Sequence, residues 1–200
     1  SDGVRNSGQF GSRLYRGNAR DAKLVDGVRG KSLLLNGESS VVYTRGKSPT
    51  DYDIARTLSA WVKTGQTGKG TLWALGNNDF CLFVNNGVLE LTAEGKTLRA
   101  VQDGHLNDNT WHHVAAVYAG GPATLRDVQF YIDGRPVDAV LDGSDTDIRT
   151  NVFGEVYIGA QENNAGYAFQ GALDEMRLRV SALDAAEISA LYKQENSRME

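Results

Sequence analysis

The sequence has little sulfur and little proline, with one cysteine, two methionines and three prolines in 200 residues. A lone cysteine excludes an intrachain disulfide. Cys81 lies in the alternating apolar run 80–84, which predicts a small buried side chain and leaves a reactive thiol as the alternative. No run approaches the roughly 20 apolar residues of a membrane helix, and the first residues lack the pattern of a signal peptide.

An excess of basic residues is missing as well. Lysine and arginine sum to 21, aspartate and glutamate to 25, and the formal net charge is −4. No basic stripe recurs that would neutralise a phosphate backbone, so the sequence predicts neither nucleic acid as a partner nor insertion into a membrane. We expect the chain to be excised from a larger protein and located outside the cell, in the periplasm or at the cell surface.

Glycine, by contrast, is abundant at 23 residues, and it falls between short alternating apolar runs. Residues 76–78 (Gly-Asn-Asn) and 85–87 (Asn-Asn-Gly) are typical of tight turns, and 133–134 (Asp-Gly) is a strong hairpin signal. Short runs with such turns between them predict two antiparallel sheets packed face to face. The predicted strands lie within residues 31–43, 57–63, 70–75, 79–84, 88–91, 111–118, 128–132, 136–140, 154–159 and 173–180.

Helical spacing occurs only near the carboxyl terminus, where Leu183, Ile188 and Leu191 recur on one side. Asp184 and Glu187 have the spacing of a capping box. The sequence therefore predicts an all-β chain with one short C-terminal helix. Residues 1–23 are the least regular part, and we expect them to wrap an edge of a single domain that spans 1–200.

Five ordered motifs and a terminal segment make the chain resemble a known family. In order and spacing they resemble the laminin G-like jelly-roll domains of the concanavalin A-like lectin/glucanase superfamily, an architecture that pentraxins share. The resemblance covers about residues 24–193 and implies a two-sheet antiparallel jelly-roll β-sandwich. The motifs are 57–63 (TLSAWVK), 110–115 (TWHHVA), 131–134 (YIDG), 158–159 (IG) and 169–177 (FQGALDEMR), followed by 182–192.

Amide and carboxylate side chains cluster in two loops just beyond predicted strands, where pentraxin-like proteins place calcium ligands. Hard cations take oxygen ligands, and the same groups bind sugar hydroxyls. Ordinary turn chemistry is the alternative, since asparagine tolerates positive φ. Tyr167 is expected to be exposed and to offer its ring to a sugar face. The residues predicted to bind ligand are Asn77, Asn78, Asp79, Gln161, Glu162, Asn163 and Tyr167.

The resemblance also implies a structural calcium ion. Asp174, on the last predicted strand, resembles a family residue that helps to hold such an ion. Amino-terminal oxygens such as Asp2 and loop oxygens near Asn36 would complete the site. Calcium is therefore the predicted cofactor, either structural or bridging to a ligand.

The sequence offers no catalytic apparatus that we can identify. Glycosidases of this fold carry Glu-x-Asp-x-x-Glu, and no glutamate here is followed two residues later by aspartate. His112 and His113 are adjacent on one strand, so they point to opposite faces and cannot share a zinc ion. Trp61 and Trp73 are expected in the core. The predicted function is a non-catalytic, lectin-like recognition module for glycans. A structural, adhesion or protein-interaction domain is the alternative, with a glycoside hydrolase as a weaker one.

Overall fold

Strands dominate the structure, a computed structural model that describes residues 17–38, 41–44, 52–101, 105–151, 154–161 and 167–197. The described residues form fifteen strands, a 3-10 helix at Leu125–Asp127 and the α-helix α1 at Ala185–Asn196. The first eight strands are β1 (Gly17–Arg20), β2 (Lys23–Asp26), β3 (Lys31–Asn36), β4 (Val41–Thr44), β5 (Arg56–Lys63), β6 (Lys69–Leu75), β7 (Phe80–Asn85) and β8 (Val88–Ala93). The others are β9 (Lys96–Ala100), β10 (His112–Tyr118), β11 (Gln129–Ile132), β12 (Arg135–Val137), β13 (Ala139–Asp142), β14 (Val156–Ile158) and β15 (Gln170–Arg179).

These strands form two sheets in which every pairing is antiparallel. The eight-stranded sheet has the order β1-β4-β14-β6-β7-β8-β9-β13, and the seven-stranded sheet has the order β12-β11-β10-β5-β15-β3-β2. Strands distant in sequence are neighbours, since β14 lies between β4 and β6, and β15 lies between β5 and β3. The predicted jelly-roll β-sandwich is confirmed.

The hydrophobic core lies between the two sheets, because alternate side chains of each strand point inward. Leu58 and Val62 of β5 belong to this core, as do Leu82 and Val84 of β7, and all four are buried. Trp73 is also part of this core, as the sequence predicts. Removing such apolar side chains from water supplies most of the favourable free energy of folding.

Helix α1 covers the outer face of the seven-stranded sheet. The Asp184 carboxylate accepts a hydrogen bond from the Glu187 backbone N–H, and the Glu187 side chain accepts one from the Asp184 N–H, which confirms the predicted capping box. Ile188 is fully buried against Ala115 and Tyr131 of that sheet. In the described part of the chain, the eight-stranded sheet has no such helix on its outer face.

Three strands lie where the sequence predicts none, and one of them is β2, which pairs with β3. Part of the segment 1–23, expected to be irregular, forms β1, which pairs with β4 at the edge of the eight-stranded sheet. Strand β9 pairs with β8 and β13. Its alternation of Thr97, Leu98 and Arg99 is short and mostly polar, so it gives little hydrophobic signal, but Leu98 is buried in the core.

Candidate functional site

Two tight turns fix the register of three neighbouring strands in the eight-stranded sheet. The turns are 86–87 (Asn-Gly), between β7 and β8, and 94–95 (Glu-Gly), between β8 and β9, and all four residues have φ between 49° and 81°. Two-residue hairpins with positive φ at both positions have the twist that adjacent strands need. The turns therefore place Phe83 opposite Glu90, and Glu90 opposite Arg99.

The row continues onto β13, where Val140 lies opposite Arg99. These side chains point away from the core, since the alternate residues Leu82, Leu91 and Leu98 point into it. The row crosses three strand spacings, which is about 14 Å. We call this row, with the two threonines beside it, the outer shelf. It consists of Phe83, Glu90, Thr92, Thr97, Arg99 and Val140.

A buried carboxylate lies at the centre of the outer shelf. Glu90 Oε1 accepts hydrogen bonds from Arg99 Nε at 2.7 Å and from Asn85 Nδ2 at 3.1 Å. Lys69 Nζ lies 3.5 Å from Glu90 Oε2. The Glu90 side chain is only 2% exposed, whereas that of Arg99 is 57% exposed. A buried charge needs such partners, and here the two cations lie between the carboxylate and solvent.

A tyrosine ring borders the outer shelf. Tyr167 is 38% exposed, which confirms the expectation of an exposed ring. Its ring meets that of Phe83 edge-on, with centroids 6.1 Å apart, and Lys69 Nζ lies 5.5 Å from its centroid. The backbone carbonyl of Tyr167 accepts a hydrogen bond from Thr71 Oγ1 at 2.8 Å. The ring is thus fixed from two sides while part of its surface meets solvent.

The two loops predicted from the sequence meet at Cys81. The Cys81 thiol donates to the carbonyl oxygen of Asn78 at 3.4 Å, and Gln161 Nε2 donates to Cys81 Sγ at 3.3 Å. Burial raises the pKa of the thiol to about 11, so it stays protonated, and the prediction of a buried side chain is confirmed. Glu162 and Asn163 lie outside the described residues. Because Cys81 pairs with Thr92, the junction of the loops lies beside the outer shelf.

The polar residues of the first loop, 77–79, also have structural roles within the protein. Asn77 and Asn78 both have positive φ, at 61° and 71°, as expected for turn chemistry. The Asp79 carboxylate accepts a hydrogen bond from the backbone N–H of Asn151 at 2.8 Å. The structure therefore brings the two loops together and gives the Asp79 carboxylate a structural partner, and ligand binding by these residues stays a prediction.

Asp174 is placed at the other sheet, where its carboxylate holds a backbone turn. Oδ2 accepts from the N–H of Arg29 at 2.9 Å, Oδ1 accepts from the N–H of Glu175 at 2.8 Å, and the N–H of Val28 also bonds to the carboxylate. Burial raises the pKa of Asp174, although these hydrogen bonds act in the opposite direction. In the described structure this carboxylate is therefore a hydrogen-bond acceptor for the turn.

The described residues do not complete a calcium site around Asp174. Asn36 lies opposite Gln170, four residues from Asp174 along β15, which is about 13 Å and too far for both side chains to share one ion. Asp2 lies outside the described residues. Among the residues that the structure describes, no three His, Cys, Asp or Glu side chains are grouped to hold a metal ion. Calcium remains a prediction from the family resemblance.

Thr110, His112 and Asp133 form another polar cluster, in which a hydroxyl, an imidazole and a carboxylate are connected in the same order as in a catalytic triad. His112 Nδ1 lies 2.9 Å from Asp133 Oδ2, and Thr110 Oγ1 lies 3.1 Å from His112 Nε2. Asp108 Oδ1, however, accepts from Thr110 Oγ1 at 2.8 Å and lies 3.3 Å from His112 Nε2. Hydrogen bonding to Asp133, with help from Asp108, raises the pKa of His112. Two carboxylates favour the imidazolium form, which is unsuited to act as a general base.

The central residues of the outer shelf, Glu90 and Arg99, and the neighbouring Lys69 are absent from the sequence-based site. The sequence feature that could have identified these residues is the pair of turns at 86–87 and 94–95. Each turn is a two-residue connection, so it fixes which residues of the two flanking strands lie opposite each other. Counting outward from each turn pairs Glu90 with Phe83 and with Arg99. The sequence pattern contains this register once β9 is recognised as a strand.

The fold and the motifs place the chain in a family. A family model of the laminin G type, described as the concanavalin A-like lectin/glucanases superfamily, matches residues 36–189. The chain belongs to this superfamily. No curated protein is similar enough to the chain to count as a match. No helix among the described residues has the length and apolarity that crossing a bilayer requires.

Solved structures share the fold at low sequence identity. The binding domain of Paraclostridial Mosquitocidal Protein 1 has a TM-score of 0.67 at 18% identity, and the match covers 89% of this chain and 47% of that one. Domain 4 of AbnA, a GH43 extracellular arabinanase from Geobacillus stearothermophilus solved with arabinotriose, has 0.67 at 18%, covering 88% of both chains. The SAP-like pentraxin from Limulus polyphemus has 0.65 at 16%, covering 84% of both. The chain thus spans about half the length of the first of these proteins.

Proposed function

We propose that this protein is a non-catalytic glycan-binding module, secreted or displayed at the cell surface, and that it binds through the outer shelf and Tyr167. The observation that carries the proposal is a fixed, partly exposed tyrosine ring beside charged hydrogen-bonding groups on the outer face of the eight-stranded sheet. A sugar face packs its C–H groups on such a ring, and its hydroxyls need polar partners of fixed position.

The polar groups that a sugar would meet are already held in place. Lys69 and Arg99 both pair with Glu90, and Asn85 bonds to the same carboxylate. Side chains that are ordered before binding lose less entropy when the ligand arrives. The loops that meet at Cys81 extend the proposed site along the same face, with the amide of Gln161 nearest to the shelf.

The comparisons support the proposal at the level of fold. AbnA domain 4 was solved with arabinotriose, and the binding domains of a mosquitocidal protein and of botulinum neurotoxin share the architecture. Because these structures are under 25% identical to the chain, they do not identify its ligand.

Retention on immobilised glycans tests the proposal. Tyr167→Ala should weaken retention on any glycan that binds the parent protein by about tenfold, which corresponds to 1.4 kcal/mol. The matched control is Leu24→Ala, because Leu24 is an exposed apolar side chain, at 65%, on β2 of the other sheet. If both variants are retained like the parent, the shelf is not the glycan site. If the parent binds no glycan on a broad array, the adhesion or protein-interaction alternative replaces the proposal.

A further inference from the structure

The cluster around Glu90 carries more positive than negative charge. Lys69 and Arg99 contribute two positive charges and Glu90 one negative charge, which gives a net charge of +1. The whole chain, by comparison, has a formal net charge of −4. This cluster therefore has a charge of the opposite sign to the net charge of the chain.

Exposure increases this asymmetry. Glu90 is covered, at 2% exposure, while the Arg99 side chain is 57% exposed. Arg99 uses Nε to bond Glu90, and its two terminal nitrogens have no hydrogen bond or ion pair with any described residue. A ligand that approaches the sheet therefore meets the guanidinium before the carboxylate. The free edge of a guanidinium matches a carboxylate or a sulfate with two parallel hydrogen bonds.

The face also limits where an anion can lie. Asp142 of β13 points outward two residues beyond Val140 and lies opposite Thr97. An anionic group next to Asp142 would be repelled, whereas one between Arg99 and Tyr167 would lie near Lys69, whose Nζ is 5.5 Å from the centroid of the tyrosine ring. The favourable position is therefore the half of the shelf that also has the tyrosine ring.

From this arrangement we infer that the site takes an anionic glycan, one whose sugars carry carboxylate or sulfate groups. Arg99 binds the anionic group, Lys69 adds to the positive field, and Tyr167 packs on the sugar ring. The inference rests on the proposed function and narrows its class of ligand.

Three polymers distinguish the contribution of the anionic groups to binding from that of the sugar rings. Polygalacturonate offers carboxylates, its fully methyl-esterified form offers the same sugar without charge, and dextran sulfate offers sulfates. We expect at least tenfold tighter binding to polygalacturonate than to the ester at low salt, and weaker binding as sodium chloride is added. Dextran sulfate shows whether sulfate replaces carboxylate.

The test variants change one charge at a time. Arg99→Ala should lower the affinity for the anionic polymer at least tenfold. Arg99→Lys should lower the affinity less, because lysine keeps the positive charge but lacks the two parallel N–H donors of the guanidinium. The control is Arg179→Ala, an exposed arginine of β15 on the other sheet, which should stay within twofold of the parent. Melting curves of all variants establish that they fold.

Three outcomes would overturn the inference in different ways. If the ester and a neutral arabinan bind as tightly as polygalacturonate and Arg99→Ala changes nothing, the ligand is a neutral glycan and the proposed function stands. If Arg179→Ala weakens binding as much as Arg99→Ala, the anion is held by general charge alone. If no neutral or anionic glycan is retained by the parent, the proposed function fails together with the inference.

Discussion

The indole Nε1 of Trp61 donates a hydrogen bond to Glu195 Oε2 at 2.6 Å, across the interface between the seven-stranded sheet and α1. Arg177 forms an ion pair with the other oxygen of Glu195, and the ring of Tyr192 stacks on Trp61 at 5.6 Å. Burial raises the pKa of the Glu195 carboxyl, which Arg177 counteracts. A buried polar contact thus holds the terminal helix on one sheet and leaves the outer face of the other sheet as the candidate binding surface.

Glu195→Ala should destabilise the protein by about 1–3 kcal/mol, because it leaves the buried Trp61 N–H without an acceptor and removes one of the two carboxylates that pair with Arg177. Urea unfolding measures the loss. Gln194→Ala is the control, since its side chain is exposed on the same helix, and it should change stability by less than about 0.5 kcal/mol. Similar values for both variants would contradict the account of how α1 is held.

His113 should make the protein less stable in acid. Its ring is fully buried, neither ring nitrogen has a hydrogen-bond partner among the described residues, and burial lowers its pKa from 6.5 to about 4. The unfolded chain therefore binds this proton first, so the stability contribution is complete above pH 6.5 and is lost as pH falls towards 4. His113→Phe should reduce the acid loss by about 3 kcal/mol, measured by urea unfolding between pH 7 and 4.

His112 supplies a control of opposite sign. Its contact with Asp133 raises its pKa, so its contribution is complete below pH 6.5 and is lost as pH rises through the folded-state value. His112→Gln should therefore make the acid loss larger, whereas His113→Phe makes it smaller. Parallel pH profiles for the two variants would show that neither histidine is linked to folding in this way.

The two glycine turns that set the outer shelf should differ in their tolerance of alanine. Gly87 has φ +81°, and an added Cβ would lie 2.5 Å from Asn107 Oδ1 and 3.1 Å from the His105 backbone nitrogen. Gly95 has φ +70° with nothing within 4 Å. Gly95→Ala should cost only the backbone strain of about 1 kcal/mol, and Gly87→Ala at least about twice that. Equal costs in urea unfolding would contradict the packing described around the 86–87 turn.

Asp174→Ala should destabilise the protein by about 2–3 kcal/mol, because it leaves the N–H groups of Arg29 and Glu175 without their acceptor. Asp26→Ala is the control, since Asp26 is an exposed aspartate whose partner is the surface residue Lys31. A loss no larger than that of Asp26→Ala would remove the structural role of Asp174.

The calcium prediction is tested with the same variant. If calcium binds at Asp174, chelation lowers the melting temperature of the parent protein, because an ion bound only to the folded state stabilises it. Asp174→Ala then melts at one temperature with and without chelator. Identical melting curves of the parent in calcium and in chelator would remove calcium from the description of this protein.

Much of the fold follows from local sequence signals. The 133–134 turn, the capping box of Asp184 and Glu187, and the buried Trp61 and Trp73 all depend on contacts close in sequence or on apolar periodicity. The sequence does not predict strand β9, because its only core residue apart from alanine is Leu98. A strand this polar is stabilised by its neighbours in the sheet, which local sequence does not show.

The candidate site was predictable only in part, for the same reason. Tyr167 is exposed as expected, and Asn78 and Gln161 meet, but they do so through the buried thiol of Cys81. The contact between Glu90 and Arg99 depends on a register set by the 94–95 turn. The sequence shows which side chains are polar or aromatic enough to bind a ligand. The pairing of the strands determines which of these side chains lie on the same face of a sheet.

Chemical-shift mapping of the amide resonances tests the central claim most directly. Titration with trigalacturonate should perturb the backbone amides of Glu90, Arg99 and Tyr167. Arabinotriose is the neutral comparison, and it should perturb the same amides only at higher concentration. The amides of β10 and α1, on the other sheet, should stay unchanged and serve as the internal control. Perturbations confined to α1 or to the seven-stranded sheet, or no perturbation by either sugar at millimolar concentration, would contradict the claim that the outer shelf binds glycans.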